Sequence, residues 1–212
     1  MLQKDIEVTK TARYFQCGAD ERPRRLYVCT HGYGMSAKYF IRKFEVLASK
    51  GVKVIAPEGL HRFYIQGSNG RVGASWMTKE DRLNDIQDNI NYLNRCIEHA
   101  GATAKTEITA FGFSQGFHTL LRWAVHTPFN ISRITAWGSH FPDDVLDERY
   151  SAFFANRKID VVLGDTDEYL TIEKMKLHLH RIKEYGIRPE FTVYNGKHKV
   201  YPEVLKSLYR ND

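Results

Sequence analysis

Cysteine is scarce in this 212-residue sequence, and long apolar runs are missing. The three cysteines, Cys17, Cys29 and Cys96, are odd in number and far apart, so they predict neither a disulfide framework nor a Cys-x-x-Cys metal site. No stretch approaches the roughly 20 apolar residues of a membrane-spanning helix, and the first residues lack the apolar core of a secretion signal. We therefore expect a cytoplasmic protein in a reducing environment, without stable membrane insertion.

Basic residues exceed acidic ones, which gives a formal net charge of +6 and a pI of 9.1. They are scattered, and the one basic cluster, at residues 22–25, has no interleaved aromatic side chains. Scattered charge is typical of a solvated surface, so we expect no nucleic-acid partner. The absence of repeats, low-complexity tracts and linkers predicts one domain over residues 1–212. The sequence contains no pattern that indicates a particular oligomeric state.

Strand-like and helix-like segments alternate along the chain, which predicts an α/β fold: a mostly parallel sheet with helices on both faces. An antiparallel hairpin at the sheet edge is predicted from the apolar–polar alternation of residues 4–9 and 11–17. The other predicted strands are 26–30, 52–56, 105–111, 131–137, 159–163 and 190–194. The predicted helices are 36–50, 78–100, 118–126, 144–156, 171–185 and a last one ending at Arg210.

Residues 58–76 lack a helical period and contain four glycines, which predicts a long irregular loop. Loops of this length inside compact domains are often functional. Two interpretations of its aromatic residues Phe63, Tyr64 and Trp76 stand: they line a substrate pocket, or they pack the loop onto the sheet. His140 and Phe141, at the end of another predicted strand, are further candidates for the pocket, with a capped or surface role as the alternative.

The segment Gly112-Phe-Ser-Gln-Gly116 lies between a predicted strand and a predicted helix. A Gly-x-Ser-x-Gly sequence in that position is typical of the sharp turn that presents a nucleophilic serine. The two glycines let the strand and the helix approach closely, and Ser114 is expected in a strained conformation with its hydroxyl exposed. We predict that Ser114 is a nucleophile; the alternative is a glycine-rich turn without chemistry.

A serine hydroxyl needs a histidine to accept its proton and an acid to hold that histidine in the right tautomer. His198 alone lies in the loop after the last predicted strand. His178 and His180 lie within a predicted helix, and His99 and His126 lie at helix ends, so these four suit the role less well. The carboxyl ends of parallel strands meet at one edge of the sheet, so His198 is expected near Ser114. Periodicity leaves four candidates for the acid: Asp165 and Asp167 after the strand at 159–163, and Asp143 and Asp144 after the strand at 131–137.

Four motifs occur together: His31-Gly-Tyr-Gly34, Gly112-Phe-Ser-Gln-Gly116, Gly164-Asp-Thr-Asp167 and Gly196-Lys-His198. Jointly they resemble the phospholipase/carboxylesterase family of α/β-hydrolases, which includes the acyl-protein thioesterases, and the similarity spans nearly the whole chain. The resemblance implies Ser114 as nucleophile, Asp167 as acid and His198 as base. It also implies an oxyanion hole made by the backbone N–H groups of Tyr33 and Gln115.

The resemblance implies a serine hydrolase, a carboxylesterase that cleaves small-molecule esters or thioesters through an acyl-enzyme and needs neither cofactor nor metal. Two alternatives stand beside it: a serine peptidase or amidase, and a ligand-binding protein on the same fold with little turnover. The sequence departs from the family pattern after the acid, at residues 168–170, and before the base, at Lys197. Residues 138–158 leave no room for a cap domain, so we expect no lid.

Overall fold

A seven-stranded sheet forms the centre of this computed structural model, which describes residues 1–19, 22–48 and 51–210. The strands are β1 (Tyr14–Gly18), β2 (Arg25–Thr30), β3 (Val52–Pro57), β4 (His61–Tyr64), β5 (Val72–Ser75), β6 (Glu107–Phe113), β7 (Ile131–Trp137), β8 (Lys158–Gly164) and β9 (Glu190–Tyr194). The sheet has the order β1-β3-β2-β6-β7-β8-β9, and β4 pairs with β5 as a separate hairpin. Only the β1–β3 pair of this sheet is antiparallel among the described residues, which confirms the mostly parallel α/β fold.

The described residues include α1 (Ala37–Phe40), α2 (Arg82–His99), α3 (Gln115–Ala124), α4 (Ser151–Ala155), α5 (Ile172–Ile182) and α6 (Pro202–Leu208). Turns of 3-10 helix lie at Ile41–Leu47, Asp143–Val145, Glu148–Tyr150 and Lys183–Tyr185. Within the same ranges, no helix combines the length and the apolar character needed to cross a bilayer.

Two apolar clusters cover the two faces of the sheet. Neighbouring residues of β6, Ala110 and Phe111, belong to different clusters, and successive side chains of a strand point to opposite faces. The larger cluster includes Trp123 of α3. The smaller one includes Phe40 of α1 and Leu205 of α6. Burying each such side chain contributes about 2 to 3 kcal/mol to the free energy of unfolding. Helices therefore pack against both faces of the sheet, as predicted.

The predicted N-terminal hairpin is wrong in its first strand. Residues 4–9 form neither strand nor helix, whereas β1 pairs with β3 from Tyr14 opposite Pro57 onward. Ile6 and Val8 are 84% and 76% exposed, so their alternation with polar residues faces no sheet. β1 is itself the edge strand of the sheet, so its outer side is free, but residues 4–9 do not pair with it.

The predicted irregular loop at 58–76 is also wrong, because it contains the β4–β5 hairpin. Gly67 and Gly70 adopt positive φ values of 59° and 82° in its turn, a conformation that favours glycine. An antiparallel bridge between Met35 and Ala74 ties the hairpin to the loop after β2. The hairpin therefore lies against the chain that follows β2, beside the carboxyl ends of the parallel strands of the central sheet.

The largest departures from the predicted helix bounds occur in three helices. α2 starts at Arg82 and not near residue 78, because Asp81 has the left-handed φ of 49°. The helix predicted at 36–50 is α1 followed by a 3-10 turn, and its predicted end at 49–50 lies outside the described residues. The helix predicted at 144–156 is broken into short pieces, since the extended Asp147 caps a new turn through the N–H of Arg149.

Candidate active site

The turn between β6 and α3 holds Ser114 in a strained backbone conformation. Its φ is 52° and its ψ is −126°, a conformation that costs of order 1 to 3 kcal/mol in a non-glycine residue. Its N–H donates to the carbonyl of Trp137 in β7 over 3.0 Å. A Cβ at Gly116 would lie 2.4 Å from the carbonyl oxygen of His31, and one at Gly112 would lie 2.3 Å from the backbone of α3. The close approach of strand and helix therefore requires both glycines.

The imidazole of His198, after β9, is held on several sides. Its Nδ1 lies 2.6 Å from Oδ2 of Asp167, whose side chain is fully buried. The other carboxylate oxygen accepts the N–H groups of Tyr169 and Leu170 at 2.9 and 3.0 Å. The rings of Phe113 and Tyr169 each lie 4.7 Å from the imidazole, measured between centroids. Because Nδ1 is committed to the carboxylate, Nε2 remains for a serine hydroxyl.

The three other acids that the sequence left open have different partners. Two of them form ion pairs with arginines, and the third shapes the loop that leads to the imidazole. Asp143 pairs with Arg181 at 2.8 Å, Asp144 makes two bonds of 2.7 Å to Arg122, and Asp165 accepts the N–H of Gly196. Of the four candidates, Asp167 is the one that the structure brings to His198.

Two backbone N–H groups flank the serine. Tyr33 follows β2, and Gln115 is the first residue of α3; among the described residues, neither N–H donates to a protein acceptor. Both are therefore available to an oxygen atom at the site. The side chain of Gln115 fixes its own position, because Nε2 donates to the carbonyl of Met77 at 2.8 Å and Oε1 accepts the N–H of Trp76 at 3.2 Å.

His31 anchors the loop that carries Tyr33. Its Nε2 accepts the N–H of Gly59 at 3.0 Å, so in the neutral ring Nδ1 carries the proton and donates to the carbonyl of Gly32 at 2.8 Å. Its ring packs against Trp76, whose indole N–H donates to the carbonyl of His31 at 2.8 Å. The imidazole is completely buried, and burial lowers its pKa to about 4.

Residues 59–77, called here the anchor segment, thus form hydrogen bonds with the residues around both N–H groups. They hold Tyr33 through His31, and they hold Gln115 through its amide. Sequence reasoning missed this arrangement. The hydrogen bonds join positions 28 to 45 residues apart, and neither periodicity nor the motifs carry a signal for them.

Two cavities open beside the turn. The smaller one, the serine cavity, measures about 350 Å³ and is lined by both Ser114 and His198, together with Tyr33 and Tyr169. The larger one, the side cavity, measures about 650 Å³ and begins at Gln115. Its walls are the start of α2, one face of α3 and the residues after β7. They contribute Lys79, Arg82, Leu83, His118, Arg122, His140, Asp143 and Asp144 among others.

The five predicted pocket residues end up in different places. Trp76 and Phe141 are fully buried in the core, so they cannot line an open pocket and the prediction is wrong for them. Phe63 packs against the loop after β2, and Tyr64 is 48% exposed on the hairpin; neither lines one of the two cavities. His140 lines the side cavity.

Buried histidines are expected to make the fold sensitive to acid. Burial lowers the pKa of His31, His118 and His178 to about 4 in each case, whereas the pKa in the unfolded chain is about 6.5. Between these values the unfolded chain binds more protons, so the free energy of unfolding falls as the pH drops from about 6.5 to about 4. For His31 alone the loss reaches about 3 kcal/mol at most. Urea unfolding followed by tryptophan fluorescence measures it, and a constant free energy over this range would contradict it.

The comparisons with known proteins agree with this architecture. The family model described as Phospholipase/Carboxylesterase matches residues 16–211. Similar solved structures are Zea mays acyl-protein thioesterase 2 (16% identity, TM-score 0.74, covering 94% of this chain and 97% of that one), a Mesorhizobium loti carboxylesterase (13%, 0.71, 95% and 95%) and esterase PE8 (19%, 0.67, 95% and 99%). At such identities the likeness shows the fold alone. No curated protein matches the sequence significantly.

The family match carries more than the fold, because it covers nearly the whole chain and includes all four motifs from His31 to His198. Its range also contains every strand of the central sheet except the first residues of β1. The chain therefore belongs to the phospholipase/carboxylesterase family of α/β-hydrolases, and it is a carboxylesterase-like hydrolase.

Proposed function

We propose that this hydrolase cleaves carboxylic esters, and thioesters as the related class, through a covalent acyl-enzyme on Ser114. The observation that carries the proposal is the buried contact of Asp167 with His198, in the same cavity as the strained serine. A serine on such a turn, an imidazole and an acid that orients it are the parts that nucleophilic acyl transfer requires.

In the proposed reaction Oγ of Ser114 attacks the ester carbonyl while Nε2 of His198 takes the hydroxyl proton. Asp167 keeps the imidazole in the productive tautomer and stabilises its charged form. The N–H groups of Tyr33 and Gln115 donate to the oxyanion, and each such donor contributes roughly 3 kcal/mol in comparable sites. His198 then gives the proton to the leaving alcohol. Water attacks the acyl-enzyme by the same route, so ester and water become acid and alcohol.

The alternatives of amide cleavage and of binding without turnover have less support. The similar structures from maize and M. loti are named as a thioesterase and a carboxylesterase, which favours esters and thioesters. A binding protein would need neither the buried acid nor two N–H groups without protein acceptors.

A fluorophosphonate probe tests the proposal directly, because it phosphonylates an activated serine. We expect intact-protein mass spectrometry to show one adduct, and peptide mapping to place it on Ser114. A panel with matched acyl groups then compares aryl esters, thioesters and anilides, and we expect turnover of the first two. An adduct on another residue, or no adduct on folded protein, would contradict the proposed nucleophile.

We also expect simple saturation kinetics with esters that form micelles. Residues 138–158 hold only short helical pieces and no inserted cap in the described structure, and the hairpin tip at 66–71 is rich in polar residues. The measurement is the initial rate as a function of ester concentration through the critical micelle concentration. A sharp increase at that point would contradict the expectation. It would show that the exposed Tyr64 and Ile65 at the base of the tip form a surface that binds interfaces.

A further inference from the structure

The side cavity is lined by both charged and apolar side chains. Seven of its lining residues are charged or ionisable: Lys79, Arg82, His118, Arg122, His140, Asp143 and Asp144. The apolar ones are Met77, Leu83, Ile86 and Pro142. A purely alkyl chain would remove water from the polar groups without replacing their hydrogen bonds. The lining therefore suits a guest that combines a short carbon chain with a polar or charged end.

The carboxylates of the side cavity are already neutralised. Asp144 accepts two bonds of 2.7 Å from the buried guanidinium of Arg122, and these bonds lower the pKa of that carboxyl against the opposing effect of its burial. Asp143 pairs at 2.8 Å with Arg181 of α5, which does not line the cavity. The negative charge of each carboxylate is therefore compensated by a neighbouring arginine.

The cations at the start of α2 are compensated less directly. The positive charge of Arg82 helps to lower the pKa of the Asp144 carboxyl, so these two groups attract each other through space. Lys79 and Arg82 are exposed, and no ion pair to either is found within the described ranges. Across the cavity, burial lowers the pKa of His140, which stays neutral at physiological pH and can donate a hydrogen bond. The cavity as a whole therefore presents positive charge and hydrogen-bond donors, the chemistry that holds an anion.

The side cavity adjoins the turn that carries Ser114, on a side that the alcohol does not occupy in the proposed mechanism. His198 has to hand its proton to the leaving alcohol, so the alcohol lies next to His198 in the serine cavity. The acyl group leaves the same carbonyl carbon in another direction. Gln115, whose N–H faces the oxyanion in that mechanism, also lines the side cavity, which thus begins one residue from the nucleophile. Its volume of about 650 Å³ is in the range of small-molecule sites.

We propose that the side cavity binds an acyl group that ends in a carboxylate, with Lys79 and Arg82 as the residues that select it. The preferred substrates are then half-esters of dicarboxylic acids, which react with water to give the dicarboxylate and the alcohol. This inference rests on the proposed esterase function and names its substrate class.

Three ethyl esters of nearly equal shape and with the same leaving alcohol test it. Monoethyl succinate carries the carboxylate, ethyl succinamate replaces it by a neutral amide, and ethyl isocaproate replaces it by an isopropyl group. We expect kcat/KM for monoethyl succinate to exceed both others by about tenfold, as for one charge-assisted contact. Added sodium chloride is expected to reduce that preference, because the cations are exposed.

A double substitution identifies the residues. Lys79→Gln with Arg82→Gln is expected to bring the ratio of kcat/KM for monoethyl succinate over ethyl succinamate close to one. Lys105→Gln with Lys158→Gln removes the same charge from exposed residues at the opposite edge of the sheet, and this control keeps the wild-type ratio.

The outcomes separate this inference from the function on which it rests. Equal kcat/KM values for the three esters, all dependent on Ser114, would overturn the anionic acyl site and leave the esterase intact. Equal kcat/KM values for ethyl succinamate and monoethyl succinate, both above the value for ethyl isocaproate, would show a polar site without charge selection. This result would also overturn the anionic acyl site. No hydrolysis of any ester by the folded protein would overturn both.

Discussion

Ser114→Ala is expected to lower kcat/KM for an ester by about 10⁵- to 10⁶-fold and to abolish labelling by the fluorophosphonate probe. The alanine has no atom that can form the acyl-enzyme, and the remaining rate comes from substrate binding and the two N–H donors alone. Ester kinetics and intact-protein mass spectrometry measure the two effects. Circular dichroism establishes that the variant is folded.

Ser68→Ala is the matched control for that substitution. Ser68 lies exposed in the turn of the β4–β5 hairpin, so losing its hydroxyl is expected to change neither rate nor labelling. Wild-type turnover in folded Ser114→Ala protein would remove the proposed nucleophile. The turn between β6 and α3 would then be a structural feature without a chemical role.

Asp167→Asn is expected to lower kcat by about 10⁴-fold. The amide has nearly the shape of the carboxylate, and its oxygen can still accept the N–H groups of Tyr169 and Leu170. Its NH₂ group would then face Nδ1 of His198 and favour the tautomer with the proton on Nε2. That tautomer cannot take the proton of the serine. Steady-state ester kinetics over a range of pH measure the loss, and unfolding in urea shows whether the fold is retained.

Asp165→Asn provides the comparison for this change. Asp165 lies two residues earlier and accepts the N–H of Gly196, so its loss is expected to loosen the loop before His198 and to cost far less in rate. An Asp165→Asn or Asp143→Asn variant as impaired as Asp167→Asn would show that the acid has been assigned to the wrong residue.

Most strands of the central sheet could be predicted closely, whereas the β4–β5 hairpin and several local starts and stops could not. The predicted bounds of β7 and β9 coincide with the observed ones, because their side chains alternate or run apolar between clear polar breaks. The start of α2 was missed because Asp81 adopts a left-handed conformation that a capping sequence does not reveal. Residues 4–9 alternate apolar and polar side chains but form no strand, so alternation alone is not sufficient.

The candidate site could be predicted as far as chain topology determines it. Ser114, Asp167 and His198 each follow a parallel strand, so one rule about strand ends brings them to one edge. The choice of Asp167 over Asp165 came only from the family resemblance, since both lie on the same loop. The hydrogen bonds of His31 and of the Gln115 amide depend on tertiary contacts between distant segments, which a single sequence does not encode in any local pattern.

The anchor segment couples two properties that an engineer would want to vary separately. Gly59, Trp76 and Met77, which flank the hairpin, make the hydrogen bonds that position the residues around the two N–H groups. Replacing this segment to admit other esters would therefore shift the turnover number together with the selectivity. Arg82 and Leu83 line the side cavity and, among the described residues, form no hydrogen bond with the anchor segment, so they are where substrate range can be redesigned at constant catalytic power.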